Sequence, residues 1–426
     1  MNAKCRSLAA LGMTVISATA GAQTIAITGG RVYPVSGPVI ENGTVLIRDG
    51  RIAAVGAAVD IPANAQRIDA TGKWVTPGLI NVGTTLGLIE ISGVPDTRDA
   101  NAQGEKAIAA SFRSWDGLNP NTALFPPARN EGITTVLVSP GGGLVSGQAA
   151  LVDLVVGSAT DMIRRAPAAM FAQMSDARGA GTNARAEAMA KLRELLRDAQ
   201  EYRRRRADFE SNRTRSFAAS RLDLEAMFPV LDGTLPFVLA ADRSSDIESA
   251  IALAREFNLR IVIAGGAEAW LVKDKLAAAR VPVLTGGIQS IPFSFNALNV
   301  KAEGAGELRR AGVSVAMIGT SYGDEAGFNV RNVKYEAGNA VASGMTWDDA
   351  LRAVTLTPAE IFGVGDRLGS LTAGKDANVV VWSGDPFEFA THADHVIIRG
   401  REIRSPSRQD LLMQRYRTLP PSYQKP

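Results

Sequence analysis

The sequence predicts an α/β protein, a parallel barrel of strands and helices bracketed by β-rich chain ends. Three observations carry this. Through the middle of the 426 residues, short apolar runs alternate with amphipathic stretches, the arithmetic of a parallel α/β barrel. Near both ends, β-forming residues cluster between turn signals instead. A chain that is 46% hydrophobic and 21% charged also buries a core large enough for a barrel plus a smaller domain.

The first residues place Lys4 and Arg6 before an apolar run from Leu8 to Ala18, then Ala20-Gly21-Ala22 before Gln23. This is the layout of a secretory signal (1–22) cleaved near Ala22, which predicts a periplasmic or secreted protein. The run is too short to span a bilayer as a stable helix, so the mature form is expected without a membrane anchor. Cys5, the only cysteine, falls in the removed segment, which excludes disulfides, thiol nucleophiles and thiolate metal sites from the mature chain. A net charge of +3 is too slight to argue for a nucleic-acid partner.

From Thr24 the strands Thr24 to Gly30, Arg31 to Val35, Gly43 to Arg48 and Arg51 to Val55 lie between Gly29-Gly30, Ser36-Gly37-Pro38, Asn42-Gly43 and Asp49-Gly50. Asp49-Gly50 suits a two-residue hairpin turn. Barrel strands are expected at Trp74 to Asn81, Ile133 to Ser139, Pro236 to Ala241, Arg260 to Ala264, Val281 to Leu284 and Val313 to Ile318. Ile247, Ala250, Ile251 and Ala254 share one face of a helix that Asp246 can begin. Thr346 and Asp349 resemble a capping box opening a helix with Ala350, Leu351 and Val354, and Pro358 is expected to start another.

An insertion from about Asp176 to Leu222 carries a helical stripe, Met189, Leu192, Leu196 and Ala199, followed by Arg203-Arg204-Arg205-Arg206. Four arginines in a row can bind phosphate, but Glu201, Asp208 and Glu210 dilute them, and a solvated helix over one side of the barrel is the plainer expectation. At the far end, a hairpin is expected around Gly400, and residues 409–426 read as a helix with an extended end.

The stretch Lys73 to Leu88, K-W-V-T-P-G-L-I-N-V-G-T-T-L-G-L, resembles the first barrel strand of the amidohydrolase superfamily, where P-G-L-I-D precedes a metal-binding H-x-H. I-R-D-G-R-I-A-A-V-G, G-S-L-T-A-G-K-D-A-N-V-V-V-W and L-T-P-A-E-I-F-G resemble other segments of that family. The resemblance implies a (β/α)8 TIM-type barrel (77–366) with a composite β-sandwich built from residues 23–76 and 367–408. It implies hydrolysis of carbon–nitrogen bonds other than peptide bonds by metal-activated water at the C-terminal ends of the strands.

The ligand positions depart from that pattern. Gly83 and Thr85 stand at the H-x-H histidines, Ala240 at the next histidine, with Asp242 where a further one often follows. Gly265 and Ser321 stand at the later histidine and the metal-binding aspartate. The only histidines, His392 and His395, fall in the C-terminal segment and make a weak metal site. No metal or other cofactor is therefore expected.

The favoured expectation is a non-catalytic pseudo-amidohydrolase, serving as partner subunit to an intact paralogue, as a homo-oligomer, or as a protein binding a small molecule in the barrel mouth. The alternative is a hydrolase with a carboxylate-based or metal-free site, for which Asp242 and Asp324 are the candidate catalytic residues, with Asp96 and Asp99 in a nearby loop. Ser139-Pro140-Gly141-Gly142-Gly143-Leu144-Val145-Ser146-Gly147-Gln148 can offer backbone N–H groups to an anion, but reads first as a barrel loop needing positive φ.

Overall fold

At Pro77-Gly78 the chain leaves one β-sheet and enters another, and this step fixes how the protein is organised. A Cβ on Gly78 would lie 2.2 Å from the side chain of Thr134, so only glycine allows so close a crossing. The single strand expected over Trp74 to Asn81 is consequently two. In the computed structural model, residues 24–102, 107–174, 184–286, 290–319, 327–404 and 406–418 are described. Residues 1–22, expected to be a secretory signal, lie outside them.

The N-terminal strands are β1 (Thr24–Val32), β2 (Ile40–Arg48), β3 (Arg51–Gly56), β4 (Gln66–Asp69) and β5 (Trp74–Pro77). Barrel strands follow: β6 (Leu79–Thr84), β7 (Ile133–Val138), β8 (Val145–Asp153), β9 (Ile163–Gln173), β10 (Phe237–Ala241), β11 (Ile261–Gly265), β12 (Val283–Thr285) and β13 (Val315–Met317). The chain returns in β14 (Val379–Trp382), β15 (Ala393–Ile398) and β16 (Arg401–Glu402).

Both chain ends share one sheet, ordered β16-β15-β14-β5-β1-β2-β3 with β4 beside β1. Its core contains Ile25, Ile27, Val45 and Ile47 from the start of the chain and Val379, Val381 and Ile397 from its end. Arg48 pairs with Arg51 across Asp49-Gly50, both at positive φ, which is the two-residue turn expected there. These strands form one continuously paired sheet drawn from both ends of the chain.

The second sheet runs β13-β12-β11-β10-β9-β8-β7-β6 and is an α/β barrel. Its ends meet where the Cβ direction of Gly83 on β6 comes within 3.1 Å of Ile318, just past β13. Ile80, Val82, Leu137, Leu151, Val238, Val262, Leu284 and Ala316 fill the lumen. A larger cluster packs the outer helices against the strands.

The (β/α)8 repeat is not uniform. β8 runs antiparallel to both β7 and β9, so one strand comes from a reversal of the chain and not from a helical crossover. Gly142 and Gly143, at φ +75° and +68°, lie in the reversal. The glycine-rich stretch is thus a barrel loop at its start and a strand from Val145 onward.

Helices fall where their periodicity places them, but the helix expected to begin at Asp246 starts two residues earlier, with Arg243 at its N-cap and Asp246 in its first turn. The helix Ser244–Phe257 buries Ile247, Ala250 and Ile251. Thr346 caps Trp347–Ala353 by accepting a hydrogen bond from the Asp349 N–H at 3.1 Å. The next helix, Leu356–Ile361, starts two residues before Pro358. In the insertion, Arg185–Arg204 buries Met189, Leu192, Leu196 and Ala199, the expected stripe. The four arginines that follow are all paired with acids: Arg203 with Asp232, Arg204 with Glu201, Arg205 with Glu201 and Asp208, and Arg206 with Glu210 and Glu225. That satisfies their charge locally and removes the reason to assign them a phosphate.

Candidate functional site

Residues at the C-terminal ends of parallel strands converge on one mouth, where a barrel places its chemistry. Alternation along β10 turns Val238, a lumen residue, to the same side as Ala240 and Asp242. On β11 it does so for Val262 and Ala264. Phe171 of β9 and Ala264 pack against the lumen cluster from this end. The upper lumen is therefore walled by small and apolar groups.

Gly83 lies at the closing seam. A side chain there would meet Ile318 at 3.1 to 3.3 Å, and Ile318 is itself buried. Gly265 has φ +92°, and its Cβ direction points at Asp242 Oδ1, 2.5 Å away. Thr85 is buried, and its Oγ1 is the one buried side-chain polar atom without a hydrogen-bond partner among the described residues. Ser321 and Asp324 lie outside the described residues, so the Asp242–Asp324 pairing has no described geometry.

Asp242 has an unusual electrostatic setting. Its Oδ1 accepts the Ala267 N–H at 3.3 Å. Desolvation by the surrounding barrel pushes its carboxyl up to about 6, the Ala267 hydrogen bond opposes this, and the negative charges of Glu268 and Asp246 add to it. Glu268, 4% exposed, is in the opposite state. Burial disfavours its charge, but Ser244 donates from N–H (3.0 Å) and Oγ (3.2 Å), and Asn299 from N–H (3.1 Å) and Nδ2 (3.0 Å), which holds it below the usual range. Asp246 is bound by Arg185 Nε at 2.8 Å. Sequence reasoning found Asp242 but missed Glu268, because its importance comes from Ser244 and Asn299, which only folding brings to it.

The other candidates are elsewhere. Asp96 and Asp99 are exposed loop residues. His392 Nε2 lies 3.1 Å from Asp394, and His395 Nδ1 lies 2.8 Å from Glu402, both on the composite sheet. Among the described residues, no group of three or more His, Cys, Asp or Glu side chains is arranged to hold a metal ion.

Comparison with known proteins places this barrel. The model of the amidohydrolase family matches residues 240–403, a span that begins inside β10 and ends in the composite sheet. An amidohydrolase structure from Thermotoga maritima superposes with a TM-score of 0.81 at 26% identity, covering 90% of this chain and all of that one. These matches support a place in the amidohydrolase superfamily. Within it, the chain is 26% identical over 378 residues to an imidazolonepropionase from Mesorhizobium japonicum, covering 81% of this member and 87% of that enzyme. It is 24% identical over 377 residues to the amidohydrolase tasK of Hapsidospora irregularis, of which the match spans only 38%.

Proposed function

We propose that this superfamily member has no metal-dependent hydrolase activity and that its barrel mouth binds a small molecule instead. The carrying observation is that the directions of the missing ligands are crowded: a Cβ at Gly83 would lie 3.1 Å from Ile318, and one at Gly265, where φ is +92°, would lie 2.5 Å from Asp242 Oδ1. Ala240 supplies no donor atom. The described residues at these positions do not fit an imidazole-bound metal, which requires several such ligands converging with open coordination. The reaction its relatives' names imply, hydrolysis at carbon–nitrogen bonds, is the activity we propose it lacks. Metal analysis of protein purified without chelators tests this: substoichiometric transition metal is expected, and one ion per chain overturns the reading.

The position of Asp242 favours a second reading, a metal-free hydrolase using this carboxyl as acid or base, since a value near 6 suits proton transfer near neutrality. Carbon–nitrogen hydrolysis that survives metal removal and is lost in Asp242→Asn would support it. A role beside an intact homologue draws on the exposed Ile291, Phe293, Phe295 and Leu298 in the segment after β12. Co-purification of a homologue bearing H-x-H supports that role, and a monomer in native extract opposes it.

A further inference from the structure

At the opposite end of the barrel from the mouth, the segments that lead into β11, β12 and β13 enclose a groove of about 550 Å³. Leu259, Ile261, Val281 and Pro282 give it apolar walls, and Arg255, Arg260 and Arg280 line it as well. Among the described residues, none of these three arginines forms an ion pair. Arg260 donates to the carbonyl of Ile361 at 2.5 Å. The acids nearby in sequence or space are committed elsewhere. Glu360, the acid among the lining residues, is held through both oxygens by Arg352 Nη2 at 2.8 Å. Glu256, which follows Arg255, is taken by Arg193 and Arg197 from the insertion helix.

The positive charge of the groove is therefore uncompensated. Burial disfavours the charge on Arg260 and the positive charge of Arg165 adds to this, so its guanidinium is held below its usual range. Arg165 is itself committed to the carbonyls of Phe362 and Gly363, at 3.2 and 2.9 Å. Arg255 lies in the last turn of the helix Ser244–Phe257, and Arg280 follows the helix Lys273–Ala279. The helix dipole explains why unpaired cations are tolerated at these two ends, but it leaves the guanidinium N–H groups without acceptors. The run Arg203 to Arg206 shows the contrast, since each of its members meets an acid. Around the groove three arginines gather and none does.

We propose that this groove binds a small organic phosphate, an ester whose phosphoryl oxygens accept from Arg255, Arg260 and Arg280 while its apolar body lies against Leu259, Val281 and Pro282. A phosphate ester offers three strong acceptor oxygens and close to two negative charges near neutrality, which suits several guanidinium forks better than the two oxygens of a carboxylate. Ser314, exposed on the same lining, adds a hydroxyl donor. The volume falls within the range of about 300–1,000 Å³ usual for small-molecule sites. Because the groove opens at the N-terminal ends of the strands, away from the end where a barrel places its chemistry, the phosphate is a bound ligand and not a reacting substrate. The site shares no residue with the mouth and does not rest on the reading given for it.

The test is calorimetric titration of the full chain with phenyl phosphate, inorganic phosphate and phenol at about pH 7.5. Phenyl phosphate is expected to bind once per chain and about tenfold or more tighter than either of the others, since inorganic phosphate lacks the apolar body and phenol the charge. The double variant Arg255→Gln, Arg280→Gln changes two exposed side chains and is expected to weaken phenyl phosphate about tenfold or more. The double variant Arg204→Gln, Arg206→Gln removes the same net charge outside the groove and is expected to leave binding unchanged. No binding of phenyl phosphate, equal affinity for phenol or inorganic phosphate, undiminished binding in the first variant, or an equal loss in the second overturns the inference. The metal content that decides the reading of the mouth has no bearing on any of these outcomes.

Discussion

Two carboxylates, the fully buried Asp153 and the half-buried Asp242, show where the fold satisfies its polar groups and where it does not. Asp153, wholly buried at the end of β8, accepts from Thr135 Oγ1 at 2.7 Å and from Arg164, and Arg399 Nε reaches it at 2.6 Å. Arg164 continues to Asp376 at 2.5 Å, and Asp376 is held in turn by Arg367 at 2.7 Å. This network joins barrel strands to the composite sheet, and burial, which disfavours the Arg164 charge, is outweighed by Asp153 and Asp376, so its guanidinium is held above its usual range. Among the described residues, Asp242 in the same barrel has one long hydrogen bond and two negative neighbours. The difference teaches that polar complementarity here serves the joint between the two sheets, while the mouth is left electrostatically incomplete.

The comparison breaks first at the joint. Asp153→Ala leaves Arg164 and Arg399 facing each other without their shared carboxylate, and removing one partner of a buried ionic network costs about 4 kcal/mol. A fall of that size in the unfolding free energy from urea titration is expected, and a change below about 1 kcal/mol would show that water replaces the carboxylate and that the joint is no tighter than the mouth.

Next in size is the seam. Ile318→Ala removes the side chain that fills the space beside Gly83 and should cost about 3 kcal/mol, as large-to-small changes in packed cores do. Chemical denaturation measures it. A negligible loss would mean that Ile318 is not packed there in solution, leaving room for a larger residue at position 83.

Asp242 should act in the opposite direction. Its folded carboxyl is raised to about 6 from the ordinary 3.8, so the folded state prefers the protonated form. The stability this contributes is fully present below the unfolded value and is lost as pH rises through about 6. Asp242→Asn removes that dependence and, above pH 7, should stabilise the protein by roughly 2 kcal/mol. Thermal unfolding of both forms from pH 4 to pH 8 decides it, with converging curves at acid pH expected. Parallel curves would show that Asp242 acquires a cationic partner in solution.

The framework of the molecule was legible in local sequence. Alternating apolar strands, the Asp49-Gly50 turn, the Thr346 cap and the stripe from Met189 to Ala199 each encode their structure within a few residues. β8 and β9 were not, because Gly147 and Gln148 dilute one and Arg164, Arg165 and Pro167 the other. Those arginines are tolerated inside a strand because Asp153, Asp376 and the carbonyls of Phe362 and Gly363 receive them, contacts reaching up to 212 residues away in one case and 198 in another. The mouth was legible in what its residues lack. That Ile318 and Asp242 occupy the vacated directions at Gly83 and Gly265 depends on strand closure, which no local pattern records.

The smallest expected effect tests the mouth at its other unsatisfied group. Thr85 buries a hydroxyl that has no hydrogen-bond partner among the described residues, which costs more than an apolar group of the same shape. Thr85→Val exchanges that hydroxyl for a methyl at nearly constant volume, so a gain of about 1 kcal/mol in denaturant stability is expected. A loss of similar size would show that the hydroxyl finds a partner in solution, such as a bound water. The mouth would then be satisfied by solvent much as the joint is by arginine, and the contrast between Asp153 and Asp242 would reflect hydration and not a vacant ligand position.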